Sequence, residues 1–134
     1  MDKKPKITNP DLCIIHTHQG GRISPELAKV LAPVEPATFH QYVLPAKTDV
    51  ELHGHDIDEY WWFTGGNPRV TLWTATTGKR EYQLEPGDLV VLVRGMAHTL
   101  WADHVLKYYQ FSSIPTPGAR GGHLGVEMLA KEQG

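Results

Sequence analysis

With 134 residues, 40% hydrophobic content, 21% charged content and a formal net charge of -2, the chain has the composition of a soluble globular protein and room for one ordinary domain. Scattered Lys and Arg leave no basic footprint for nucleic acid, and no apolar run approaches the roughly 20 residues that span a bilayer. A single cysteine, Cys13, excludes an intrachain disulfide and a cysteine-based zinc cluster; with residues 1–6 leading into no signal-peptide core, a cytoplasmic protein is expected.

Residues 1–22 read as an arm with one edge strand around Leu12-Cys13-Ile14-Ile15, followed by Gly20-Gly21. Ser24 ahead of Pro25 supplies an N-cap hydroxyl and a first-turn proline, predicting a short helix that runs to about Ala32 and stops before Pro33. From Thr38 the pattern changes to short runs rich in Val, Thr, Tyr, Trp and Phe, separated by Gly, Pro and Asp. Strands are expected at 38–44, 48–55, 59–64, 69–76, 80–84, 89–93, 98–103 and 106–113. Thr77-Gly78-Lys79 has the look of a tight hairpin, and Glu85-Pro86-Gly87-Asp88 that of a second turn. So many short strands in one domain call for an all-β barrel or two-sheet jelly roll, because either limits exposed strand edges. A short helix is expected within 125–133, around Val126, Met128 and Leu129. The division that follows is one domain over 1–134, with its core at 38–113, an arm and helix at 1–36 and a tail at 114–134.

Alternate strand residues share a face, so His53 and His55 can converge on one ion. That spacing is cheap in a chain with eight histidines, and His16-Thr17-His18 repeats it. Context separates the two pairs. Four residues beyond His55 stands Glu59, reached through the polar Asp56-Ile57-Asp58 and able to face the same ion across a hairpin; four beyond His18 stands Arg22. If Glu59 faces inward, so do Trp61 and Phe63, while Tyr60 and Trp62 pack outward. Further on, Pro86-Gly87-Asp88, the apolar run 89–93 and Arg94-Gly95-Met96-Ala97 lead to His98, the order expected for a ligand from an adjacent strand. Together the four positions favour a metal site over a hydrogen-bonded core histidine at His98. Trp61, Phe63, Arg94 and Leu100 are expected to line its pocket, with Arg94 either holding an anionic group or standing as a solvated loop residue. His40, His104 and His123 show no ligand spacing.

These residues resemble the cupin superfamily of small β-barrels. The first cupin motif corresponds to His53-Gly54-His55-Asp56-Ile57-Asp58-Glu59 closed by Gly65-Gly66, and the second to Gly87-Asp88 through Gly95 to His98, with Val93 and Ala102 where proline and asparagine are often found. The resemblance covers about residues 38–113. It implies a cupin-type jelly roll of two antiparallel sheets, metal ligands at His53, His55, Glu59 and His98, and a homodimer.

Three neutral imidazoles and one carboxylate around a divalent transition metal leave coordination positions open for water or substrate. Iron or manganese is expected first, then nickel or zinc. The expected function is a metal-dependent enzyme on a small polar metabolite, a dioxygenase or a metal-assisted isomerase, lyase or decarboxylase. No acid or base stands out beyond the ligands, so a non-catalytic module that binds or senses a small molecule in the same pocket stays open. Walker, dinucleotide-binding, nucleophile-elbow and H-E-x-x-H patterns are absent. Neither a nucleic-acid nor a membrane partner is expected.

Overall fold

The β-forming runs pair into two antiparallel sheets in a computed structural model that describes residues 4–133. One sheet contains, in order, β1 (Ile14–His16), β7 (Asp88–Leu92), β4 (Glu59–Gly65), β9 (Leu106–Ser113) and β2 (Val34–Leu44). The other contains β10 (Leu124–Gly125), β3 (His53–Gly54), β8 (Ala97–Trp101), β5 (Arg69–Thr74) and β6 (Gly78–Gln83). The architecture is the all-β two-sheet jelly roll, with two open sheets rather than a closed barrel. Two short helices, α1 (Pro25–Ala28) and α2 (Val126–Gln133), lie at the periphery. Among the described residues no helix is long and apolar enough to cross a membrane.

Strand alternation places the core between the sheets. Phe63, Val70, Leu72, Val90, Leu92 and Leu106 are buried in one cluster, and removing such side chains from water is the main favourable term in folding. On β4, Glu59, Trp61 and Phe63 are all buried, as alternation requires. Tyr60 is buried on the opposite face, its ring stacked 4.5 Å from that of Phe111, whereas Trp62 is 40% exposed. A smaller apolar cluster of Ala97, Leu124 and Leu129 seals α2 against the second sheet.

Several expected boundaries move where tertiary contacts override local preference. The strand expected over 48–55 shrinks to His53–Gly54. Lys47 takes a left-handed φ of 58° and the Thr48 hydroxyl donates to the Pro45 carbonyl, so the chain turns where it was expected to extend. The first helix ends at Ala28, because the Ala32 amide donates instead to the Asp58 carboxylate at 2.8 Å and the Val30 carbonyl accepts from Arg94. β2 starts earlier than expected, at Val34, with an irregular register between Glu35 and His40. Pro36 falls in that irregular stretch of an edge strand, where no ladder pairing calls for its missing N–H. The hairpin turn falls at 75–77, two residues before the expected position, with Thr74 opposite Gly78.

Candidate metal centre

Register assembles the site. β3 pairs with β8 so that His53 lies opposite His98, and on its other side β8 sets His98 opposite Leu72. Directly opposed residues share a face, with Cβ atoms about 5 Å apart. The two imidazoles accordingly have ring centroids 4.8 Å apart, and those of His55 and His98 are 5.0 Å apart. Gly54 separates His53 from His55 for a steric reason: a Cβ there would land on the Met96 carbonyl and a Leu129 methyl.

Glu59 arrives differently from expectation. Residues 56–58 carry the chain from the second sheet to the first, so β3 and β4 are not hairpin partners and Glu59 faces His55 across the gap between sheets. The His55 Nδ1 lies 3.5 Å from Glu59 Oε1. Donor atoms of His55, Glu59 and His98 all lie within 4.8 Å of one another, and His53, His55 and His123 form a second such group sharing His55.

Burial sets the protonation of this cluster. It lowers the pKa of His55 to about 4, reinforced by His53 and His123, and lowers that of His98 well below its ordinary value. It lowers His53 as well, despite the Glu51 carbonyl, and raises Glu59 to about 7. The imidazoles are therefore neutral at pH 7, the form that binds metals. At 2.6 Å the His53 Nδ1–H donates to the Glu51 carbonyl, which fixes the tautomer and leaves Nε2 as an acceptor.

The side chains expected around the ligands divide. Trp61 and Phe63 are buried, and the Trp61 ring meets that of His98 edge-on at 5.2 Å. Leu100 is buried two residues beyond His98, on the same strand face. Arg94 is not a solvated loop residue. It is buried with its Nη1 at 3.0 Å from both oxygens of Asp58 and 2.9 Å from the Val30 carbonyl. Asp58 is fully buried, and such a carboxylate needs a cationic partner, which explains why Arg94 is held against it.

Among solved structures, the chain superposes on the WlaRB TDP-quinovose 3,4-ketoisomerase of Campylobacter jejuni with a TM-score of 0.59 and 12% identity, covering 96% of this chain and 94% of that one. It also matches oxalate decarboxylase of Lactobacillus farciminis, with a TM-score of 0.52 and 16% identity over 86% of this chain and 30% of that one. The chain has the cupin fold. The ribosomal oxygenase YcfD of Escherichia coli shares it at a TM-score of 0.52 and 16% identity, over 74% of this chain and 26% of that one. A curated relative, the uncharacterized protein y4oW of Sinorhizobium fredii, is 34% identical over 83 residues, or 60% of this chain. The match spans 35% of that relative's length. No protein-family model matches.

The residues present in this cupin fold suit a metal. The His55 Nδ1 and both ring nitrogens of His98 are buried without a hydrogen-bond partner, and such atoms cost about 1–3 kcal/mol each unless something satisfies them. A divalent cation would take one lone pair from each of the two rings and would also neutralise the buried Glu59 carboxylate.

His123 is the residue that sequence spacing missed. Its ring stacks on His53 at a centroid distance of 4.0 Å. β10 brings it there by pairing Leu124 with Gly54 and Gly125 with His53. Asp56, buried between the pair and Glu59, accepts from the Arg120 Nε at 2.7 Å and from its amide at 2.8 Å, holding the loop that precedes His123. A glycine pair ahead of a lone histidine gives no spacing signal. His53 and His123 open onto a cleft of about 360 Å3 that also presents Asp49, Glu51 and Leu124.

Proposed function

We propose that this chain is a metal-dependent enzyme of cupin type that acts on a small polar metabolite, with His53, His55, Glu59 and His98 holding one divalent transition metal. The observation that carries this reading is the set of buried imidazole nitrogens that have no hydrogen-bond partner among the described residues, beside the buried carboxyl of Glu59. Iron and manganese rank first, nickel and zinc next, since imidazole and carboxylate accept all four. When bound, the ion would supply Lewis-acid polarisation or one-electron chemistry.

The chain's own residues would do the rest. Trp61, Phe63 and Leu100 exclude water from the inner side of the ligands, and the Glu51 carbonyl keeps His53 in its metal-binding tautomer. His123, exposed at the cleft mouth beside His53, is placed to move a proton to or from a substrate entering there. The charged residues on the cleft are Asp49 and Glu51, which favours a neutral polar substrate, such as a sugar or a diketone, over a carboxylic acid. An isomerase, a decarboxylase and an oxygenase among the similar structures support a cupin reaction without selecting one.

The test is metal analysis of untagged protein, followed by turnover of sugars and diketones after loading with each metal. One ion lost on His98→Ala, together with turnover, is expected. Tight binding of a compound recovered unchanged would support the sensing alternative, and no metal at all would overturn both. We further propose a homodimer across the β2 edge, where Phe39 is 55% and Val43 59% exposed. Sedimentation should show a dimer that Val43→Lys dissociates, and a monomeric wild type would refute it. A cytoplasmic location stands as a proposal from composition.

A further inference from the structure

The other H-x-H pair is also brought to a carboxylate, supplied from far along the chain. His16 closes β1, opposite Asp88 in the register of β1 with β7. A single 3-10 turn over Thr17–Gln19 then returns His18 to the same residue. His16 Nδ1 lies 2.7 Å and His18 Nε2 2.9 Å from one oxygen, Asp88 Oδ1, and His18 Nε2 is 3.5 Å from Glu85 Oε1.

The arrangement is built rather than incidental. Asp88 is 1% exposed, and its second oxygen accepts the Glu85 amide at 3.0 Å, so that Oδ1 is held toward the imidazoles. Thr17, between the histidines, donates to the Gly87 carbonyl and accepts from the Trp62 indole N–H at 3.1 Å, which locks the turn that aims both rings. Gly87, at φ 96°, leaves the space that the His18 ring occupies; a Cβ there would come within 2.6 Å of His18.

We propose that His16, His18 and Asp88, with Glu85 within reach, form a second divalent-metal site, distinct from the His53 centre. Donor atoms of the three lie within 4.8 Å of one another. Separations of 2.7, 2.9 and 3.5 Å fall within about 0.3 Å of the roughly 3 to 3.4 Å between neighbouring ligands on one ion with bonds near 2.1 Å. Two imidazoles with one or two carboxylates suit zinc, cobalt or nickel. The site borders a polar cavity of about 510 Å3 that also presents Gln83, Asp103 and His104. Remaining coordination positions would face this cavity, and the ion would clamp the N-terminal arm to the turn before β7.

The experiment compares zinc stoichiometry, by calorimetry and elemental analysis, in the wild-type chain and in His16→Gln/His18→Gln. Both side chains are exposed, so the double variant removes ligands without emptying the core. Circular dichroism verifies its fold. The expected result is one fewer zinc per chain in the double variant. Asp88→Asn should weaken the same step by at least the roughly 10- to 100-fold that loss of even an outer hydrogen-bonding partner costs. Equal stoichiometry in the wild type and the double variant overturns the proposal. Because the readout is that difference, it stands or falls separately from the His53 centre, which His98→Ala reports on.

Discussion

His53-Gly54-His55 and His16-Thr17-His18 have the same spacing and differ in what surrounds them. The first pair sits between two sheets, where burial removes water from the ring nitrogens and protein replaces little of it. The second sits on the surface, where both rings reach one buried carboxylate oxygen. Identical local patterns can thus give a desolvated pocket in one place and an exposed clamp in another. The difference lies in the strands that flank each pair.

Glu59 gives the sharpest way to test the buried half of this contrast. Its folded pKa of about 7 lies above the ordinary 4.5, so metal-free native protein holds a proton that the unfolded chain has released between those values. Stability from this group is therefore lost as pH rises from about 4.5 to 7. The opposite slope comes from His55, whose pKa is lowered to about 4, so the comparison must be made between variants. Chemical denaturation in chelator should show Glu59→Gln gaining about 3 kcal/mol on wild type across that window. A constant gap would show that Glu59 is not desolvated.

Next in size is His98→Leu. Replacing an imidazole that has no hydrogen-bond partners with an apolar side chain should stabilise the metal-free protein by about 1–3 kcal/mol while removing metal from the His53 centre. Thermal melts with and without manganese check both halves.

Gly87→Ala should act on the exposed pair alone. Its left-handed backbone costs a side chain about 1–2 kcal/mol, and the new methyl displaces the His18 ring. Binding at the His53 centre should be unchanged, whereas zinc at His16 and His18 should be weakened; loss at both would mean that the two regions are coupled.

Much of this was legible from residue order. The β-forming runs, the turn at Glu85-Pro86-Gly87-Asp88 and the inward alternation of Glu59, Trp61 and Phe63 are local properties, and the strands, turn and burial follow them. Arg94 was not legible, because nothing in its neighbourhood announces that Asp58 lies buried beside it. Nor was His123, which depends on β10 finding β3.

The amino-acid order by itself determined where the chain extends, where it turns and which side chains share a strand face, since these depend on steric preferences within a few residues. Tertiary structure alone decided which faces meet. His98 joins His53, Asp88 reaches His16 and His18, and Arg94 closes on Asp58 through strand pairings between distant segments. The two-residue period of a strand specifies a face but says nothing about the partner across from it.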